Sequence, residues 1–431
     1  MEKTKAAIPC EGQRTAKNRI PVYDYRNQSS HSFFLSLFLR AGCMYEKENE
    51  CGITHFLEHT VFRNINHRLS GELYQRLDEL GIEFNASTYA EMVQFYISGP
   101  VSRFRSGVEL LTLIFEELTL PVSELDTERR RVKAEIREVD DSTAISAISQ
   151  REVWRGTSLA GQITGTASSV SRISRARLEE YRRRVFTPDN LFVYATGALS
   201  DEDISYLTDR VGEARVYEGE RHDNTAPVPA DFMQRGAALV VKNAPYTKLR
   251  FSFDVDMNEV SSQELDLLYD TLLGGYSSRF FIELSEKRGI IYDVTGSVER
   301  YANVGAFSFS FELRSDKIYE AISEAVTILL SARRERIAPE RMMKAGYVTG
   351  AEMLLDDQRE LNFTFAYDNH ILNRGYKSVS HRAAAYAAVT PEALSAAAEK
   401  IFRPEGLVLV IKGNAKKIDR EKILSALSRL S

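Results

Sequence analysis

Runs of apolar residues with strand spacing alternate along the chain with longer stretches of helical spacing. Ser32–Leu39 (SFFLSLFL) and residues 249–255 are aromatic-rich patterns that predict strands, and each runs into a long helical segment. A second pair, residues 93–98 and 306–312, also predicts strands, each followed by another helix. Ser174 and Thr390 read as helix N-caps, with Leu178 and Leu394 on the apolar face that follows.

These elements recur. An offset of 216 residues superposes 184–197 on 400–413, with Phe186/Phe402, Pro188/Pro404, Leu191/Leu407 and Gly197/Gly413 identical. Each copy reads as helix, Pro-bearing turn, buried strand and Gly, then a polar loop and a closing helix, 201–212 and 419–430. The repeat predicts an α+β fold of two homologous domains, each a mostly antiparallel sheet packed with helices. The expected divisions are 1–216, a polar, Pro-bearing linker at 217–232, and 233–431.

Composition narrows the function. The chain has 431 residues, 43% of them hydrophobic, enough for two or three packed cores, so disorder is excluded as its main state. With 56 Lys+Arg against 61 Asp+Glu and no concentrated basic segment, nucleic acid is not an expected partner. No uncharged apolar run is long enough to span a bilayer, and the first ten residues lack a secretory signal. A cytoplasmic protein with no membrane partner is expected. Cys10, Cys43 and Cys51 have no CxxC spacing and read as free thiols. Arg182, Arg183 and Arg184 read as a solvated helix end.

The chemistry concentrates in residues 52–62. His55 and His59 are four apart on a helical pattern, which puts both imidazoles on one face where a single metal ion can bridge them. Glu58 adjoins that face, giving the H-x-x-E-H order, the reverse of the commoner zinc motif. A catalytic zinc needs a third protein ligand. Glu128 and Glu135, two turns apart on a Glu/Arg-rich helical run, are available, though in isolation that run reads as a solvated, salt-bridged helix.

Residues 52–62, with 70–81 and Asn85-Ala86-Ser87-Thr88, resemble the pitrilysin/insulinase family of inverted-motif zinc peptidases, and the likeness covers nearly the whole chain. It implies one zinc ion held by His55, His59 and Glu135, the last 76 residues beyond His59, with Glu128 supporting the site from behind. It implies that Glu58 is the general base of a zinc-dependent endopeptidase acting on short or unfolded peptides, a peptide precursor among them. It also implies that Asn85, Ala86, Ser87 and Thr88 form an exposed strand edge on which an extended substrate adds. A non-catalytic structural or peptide-binding subunit is the alternative, because the family has such members.

One family feature is broken. Residues 272–292 resemble the family's C-terminal-domain signature, in which an Arg seven residues before a Tyr reaches the substrate. Tyr292 is kept, but Ser285 stands where the Arg belongs, and Arg288 lies three residues on. Long family members close a clamshell from two such halves, while half-length members, similar to the mitochondrial processing peptidase subunits and bacterial homologues, dimerise. The resemblance therefore implies half of a clamshell, in a heterodimer whose homologous partner supplies the Arg/Tyr pair, with a homodimer as the alternative.

Overall fold

In a computed structural model of the chain, residues 10–138, 145–223, 237–275, 277–337 and 344–431 are described. Residues 1–9, Tyr276 and the 224–232 part of the expected linker lie outside them. The fold is α+β with two sheets, and the chain divides into two compact units.

The first unit carries strands β1 (Glu11–Thr15), β2 (Pro21–Arg26), β3 (Ser32–Leu39), β4 (Glu83–Thr88), β5 (Val93–Pro100) and β6 (Leu191–Gly197), in spatial order β1-β2-β6-β3-β5-β4. All neighbours are antiparallel except β2 and β6. Because side chains alternate across a strand, Leu35, Leu37 and Leu39 of β3 join Phe95 and Ile97 of β5 in a core on one face. That core packs beneath α1 (Ile53–Arg68), α2 (Val122–Glu138) and α4 (Arg175–Val185).

The second unit repeats the plan. Its strands are β7 (Ala238–Asn243), β8 (Thr247–Asp256), β9 (Thr295–Arg300), β10 (Val304–Leu313) and β11 (Leu407–Gly413), in order β7-β11-β8-β10-β9. Phe251, Phe253, Phe307 and Phe309 fill its core beside α5 (Ile318–Arg334) and α7 (Pro391–Ile401). Ser174 and Thr390 cap their helices as expected, each accepting a hydrogen bond from the backbone N–H three residues on.

The two units do not simply follow the two halves of the sequence. Residues 351–382 belong with the first unit, and 145–160 with the second. The exchange has a polar basis. On the face of β3 away from α1, Ser36 donates to Asn362 Oδ1 of α6 (Gln358–Phe365) at 2.8 Å, and Asn362 Nδ2 donates to the carbonyls of Phe34 and Tyr194. In the second unit, Ser252 of β8 lies 2.6 Å from Ser149 of α3 (Ile145–Val153) and accepts from Ser308 at 2.8 Å. Ser36 and Ser252 are separated by the repeat offset of 216 residues.

The solvated helix end expected at residues 182–184 is not found. Arg182 is buried, stacks on Phe186 at 4.8 Å and donates to Ile114 O at 3.1 Å. Arg184 forms two bonds to Glu50, at 2.9 and 2.6 Å. Of the three, Arg183 is exposed. Long cationic stems cover apolar surface while their heads find buried acceptors, a use that charge patterning does not reveal.

Candidate metal centre

Helix α1 begins at Gly52, whose φ of 83° lies in the left-handed region. A Cβ there would stand 2.7 Å from Gly165 Cα and from Thr164 O, so this close approach admits only glycine. The first backbone donors are satisfied by Glu46, which accepts from Gly52 N at 2.8 Å and Thr54 N at 2.9 Å. Sequence reading missed Glu46, because it caps from outside the helix with no motif spacing. Thr54 is fixed in turn by a 2.6 Å hydrogen bond with Tyr181 of α4.

Two stripes run along α1. Ile53, Phe56, Leu57, Val61 and Ile65 are buried in the core, while His55, Glu58, His59 and Phe62 line the adjacent side. Helix α2 faces them with Leu125, Glu128, Val132 and Glu135, spaced so that all four share one face. Glu135 Oε1 and Oε2 lie 3.5 Å from His55 Nε2 and 3.4 Å from His59 Nε2. Donors bound at about 2.0–2.1 Å on a tetrahedron are about 3.3 Å apart, so this spacing suits zinc. Among the described residues, His55, His59 and Glu135 form the one cluster whose donor atoms all lie within 4.8 Å of one another, and Cys51 is not part of it.

The surroundings set protonation. Burial, then the neighbouring His59, pushes His55 down to about 4, which keeps it in the neutral form that ligates a metal. Burial acts in the same direction on His59, but the hydrogen bond it donates to Glu128 and the charges of Glu58, Glu128 and Glu135 outweigh it and raise the group. Glu128, itself buried, holds His59 Nδ1 at 2.9 Å and so turns Nε2 toward Glu135. His55 Nδ1 is buried with no such partner among the described residues. Glu135 is the solvent-facing donor, its side chain 42% exposed. Burial raises Glu58, and the hydrogen bond it accepts from Thr88 Oγ1 at 2.7 Å offsets this in part.

Thr88 ends β4, the edge strand of its sheet, paired on one side with β5. Residues 85–88 are exposed or half-buried. Ala86 and Thr88 point toward α1, while Asn85 and Ser87 point to the other face. Tyr292, in the second unit, is 93% exposed. Ser285 donates to Tyr292 O at 3.2 Å, and Arg288 is held by Glu283 and Glu324 at 2.9 and 3.1 Å.

Residues 22–167 match the insulinase family (peptidase family M16), and residues 172–345 match the peptidase M16 inactive domain. The chain belongs to peptidase family M16. Among its family relatives, an uncharacterized zinc protease of Mycobacterium bovis is 25% identical over 389 residues, covering 86% of each chain. A protease from Helicobacter pylori has the same fold, with a TM-score of 0.81 and 18% identity over 94% of this chain and 100% of that one. The periplasmic protease PqqL from Escherichia coli matches 98% of this chain with 50% of its own, at a TM-score of 0.79 and 17% identity. This M16 chain thus has zinc-protease relatives, and no helix among its described residues is long and apolar enough to cross a membrane.

Proposed function

We propose that this M16 chain is a zinc endopeptidase that hydrolyses short or unfolded peptides in a chamber shared with a second, homologous subunit. The observation that carries the reading is the convergence of His55, His59 and Glu135, with Glu58 beside them and hydrogen-bonded to the edge strand. When bound, zinc supplies a Lewis acid that lowers the pKa of water and polarises a peptide carbonyl. An extended peptide pairs with β4 through its main chain at Asn85, Ala86, Ser87 and Thr88, which gives affinity with little dependence on side chains. Glu58 accepts a proton from the attacking water and delivers it to the departing amine. Glu128 keeps His59 in the tautomer that presents Nε2.

The partner belongs to the same reading. Tyr292 stands in solvent, where it can meet a substrate, but the short Ser285 side chain bonds to Tyr292's own carbonyl, and Arg288 is occupied by two carboxylates. A homologous subunit that supplies an Arg/Tyr pair completes the chamber. A homodimer with altered transition-state support is the second form of the same reading. The free thiols Cys10, Cys43 and Cys51 favour a reducing, cytoplasmic setting.

A second reading is a peptide-binding subunit without hydrolysis, favoured by Ser285 and by the match of residues 172–345 to an inactive domain. Metal analysis with cleavage of a quenched fluorescent peptide, by wild type and Glu58→Gln, alone and mixed with a homologous subunit, separates the two. Stoichiometric zinc and Glu58-dependent cleavage are expected, faster in the mixture. Zinc without Glu58-dependent cleavage in either setting leaves the binding subunit as the function. Equal rates with and without the added subunit remove the heterodimer.

A further inference from the structure

A peptide laid along β4 turns alternate side chains to opposite faces of the sheet. One set points toward α1 and the zinc donors, and the other toward the face that carries Ser36 and α6. On that second face the pairing register forms a single row. Ser36 of β3 pairs with Tyr96 of β5, and Tyr96 pairs with Asn85 of β4, so the three side chains share the face. Helix α6 lies over the row from its inner end. Asn362 bonds Ser36, and Arg359, one turn earlier, sits over the Tyr96 ring at 4.7 Å and donates to its hydroxyl. Asn85, at the sheet edge, is exposed. The next place in the row, about 4.8 Å beyond Asn85, belongs to a side chain of an added strand.

The surroundings of that place are aromatic and held firmly. Asp357 caps α6 by accepting from Arg359 N and Glu360 N at 3.1 and 3.0 Å, which fixes the turn from which Arg359 projects. The Arg359 side chain is 58% exposed, and Glu83, at 4.0 Å, is the one carboxylate within ion-pair reach of it among the described residues. Tyr89, 36% exposed, lies beside Ser87 and in the field of the Arg359 cation. Its ring packs against Phe363 at 5.7 Å, and Phe363 stacks on Tyr367, also at 5.7 Å. Tyr367 donates to the buried Glu91 at 2.5 Å, so this line of rings is anchored at its inner end and open at Tyr89. The single arginine is offset by the exposed carboxylates Glu83 and Glu360, so an acidic side chain gains little, while Arg359 repels a basic one. A neutral ring gains from both the cation and Tyr89.

We propose that Arg359 and Tyr89 form a specificity site for an aromatic side chain of the peptide, at the residue that pairs with Asn85. That ring stacks on Tyr89 and takes the open face of the Arg359 guanidinium, whose other face rests on Tyr96. The inference deepens the proposed function and rests on its pairing of a peptide with β4, but not on hydrolysis.

Binding, read by fluorescence anisotropy on full-length Glu58→Gln protein, tests it. The probes are labelled Ala/Ser peptides in which one Phe is walked along the chain. At one position, and not at its two neighbours, Phe is expected to tighten Kd about tenfold over Ala. Adding Arg359→Gln is expected to cut that Phe/Ala ratio about threefold, and adding Tyr89→Ala to remove most of it. Glu or Lys in place of the Phe is expected to bind about as weakly as Ala. Equal Phe/Ala ratios in all three proteins overturn the site, as does tighter binding of the Glu or Lys peptide than of the Phe peptide, or no saturable binding of any of them. Cleavage of the same peptides by wild type reads the peptidase proposal separately: Phe-selective binding that depends on Arg359, without cleavage, keeps the site and leaves the peptide-binding subunit as the function.

Discussion

Thr88 Oγ1 donates to Glu58 Oε2 at 2.7 Å, so the last residue of the edge strand touches the carboxylate proposed to move the proton. The strand proposed to receive a peptide and the base proposed to act on it are thereby held in one geometry. Thr88→Val is expected to lower kcat about tenfold, the scale of one hydrogen bond to a charged group, with zinc content unchanged. Glu58→Gln is expected to lower kcat by about 10²–10⁴, again with zinc retained. Steady-state kinetics with metal analysis on the same preparations check both, and a Thr88→Val enzyme with full kcat would show that the contact has no part in turnover.

Glu128 acts through His59. Replacing it with Gln keeps a polar group near Nδ1 but removes the charge, and zinc affinity is expected to fall about 10–100-fold. Competition with a chelator of known affinity measures this. His55→Ala and Glu135→Ala are each expected to abolish stoichiometric zinc, because three donors become two.

Gly52 should tolerate no side chain. Gly52→Ala forces alanine into the left-handed region and against the Gly165 backbone, at an expected cost of at least about 3 kcal/mol. Urea unfolding reads the loss, and because His55 lies three residues on, zinc affinity should drop with it. Gly81, at φ 63° with open space around it, isolates the conformational part: Gly81→Ala should cost less.

Buried Glu91 gives the first unit a pH-dependent stability. Burial pushes its carboxyl up to about 7 from 4.5, although Tyr367 and Arg40 oppose the shift. With the folded value above the unfolded one, the folded state binds more protons between those limits. Stability should therefore be greatest below about pH 4.5 and decline by about 3 kcal/mol as pH rises toward 7, as far as this group is concerned. Glu91→Gln keeps an acceptor for Tyr367 and should flatten that slope, which urea midpoints across the range would reveal.

The parts legible in the sequence were those set by short-range periodicity. The strand at Ser32–Leu39 and the caps at Ser174 and Thr390 need only local spacing, and the structure has them as read. The pairing of His55 with His59 follows from one helical turn, whereas Glu135 needed the family resemblance, since nothing local separates it from a surface glutamate. Long-range polar contacts were invisible. Glu46 capping α1, Arg182 reaching Ile114 O, and Asn362 bonding across to Ser36 join residues whose relation no pattern announces.

The exchange of residues 351–382 has a consequence for synthesis. A ribosome that has released residue 223 has delivered the whole six-stranded sheet of the first unit, but not the helix that covers the face bearing Ser36. Until Asn362 emerges, Ser36 and the carbonyls of Phe34 and Tyr194 lack their hydrogen bonds to it. The unit that carries His55, His59 and Glu135 can therefore finish folding only after most of the other half of the chain has been made, and a nascent chain stalled between the two would present an open sheet face to whatever holds it.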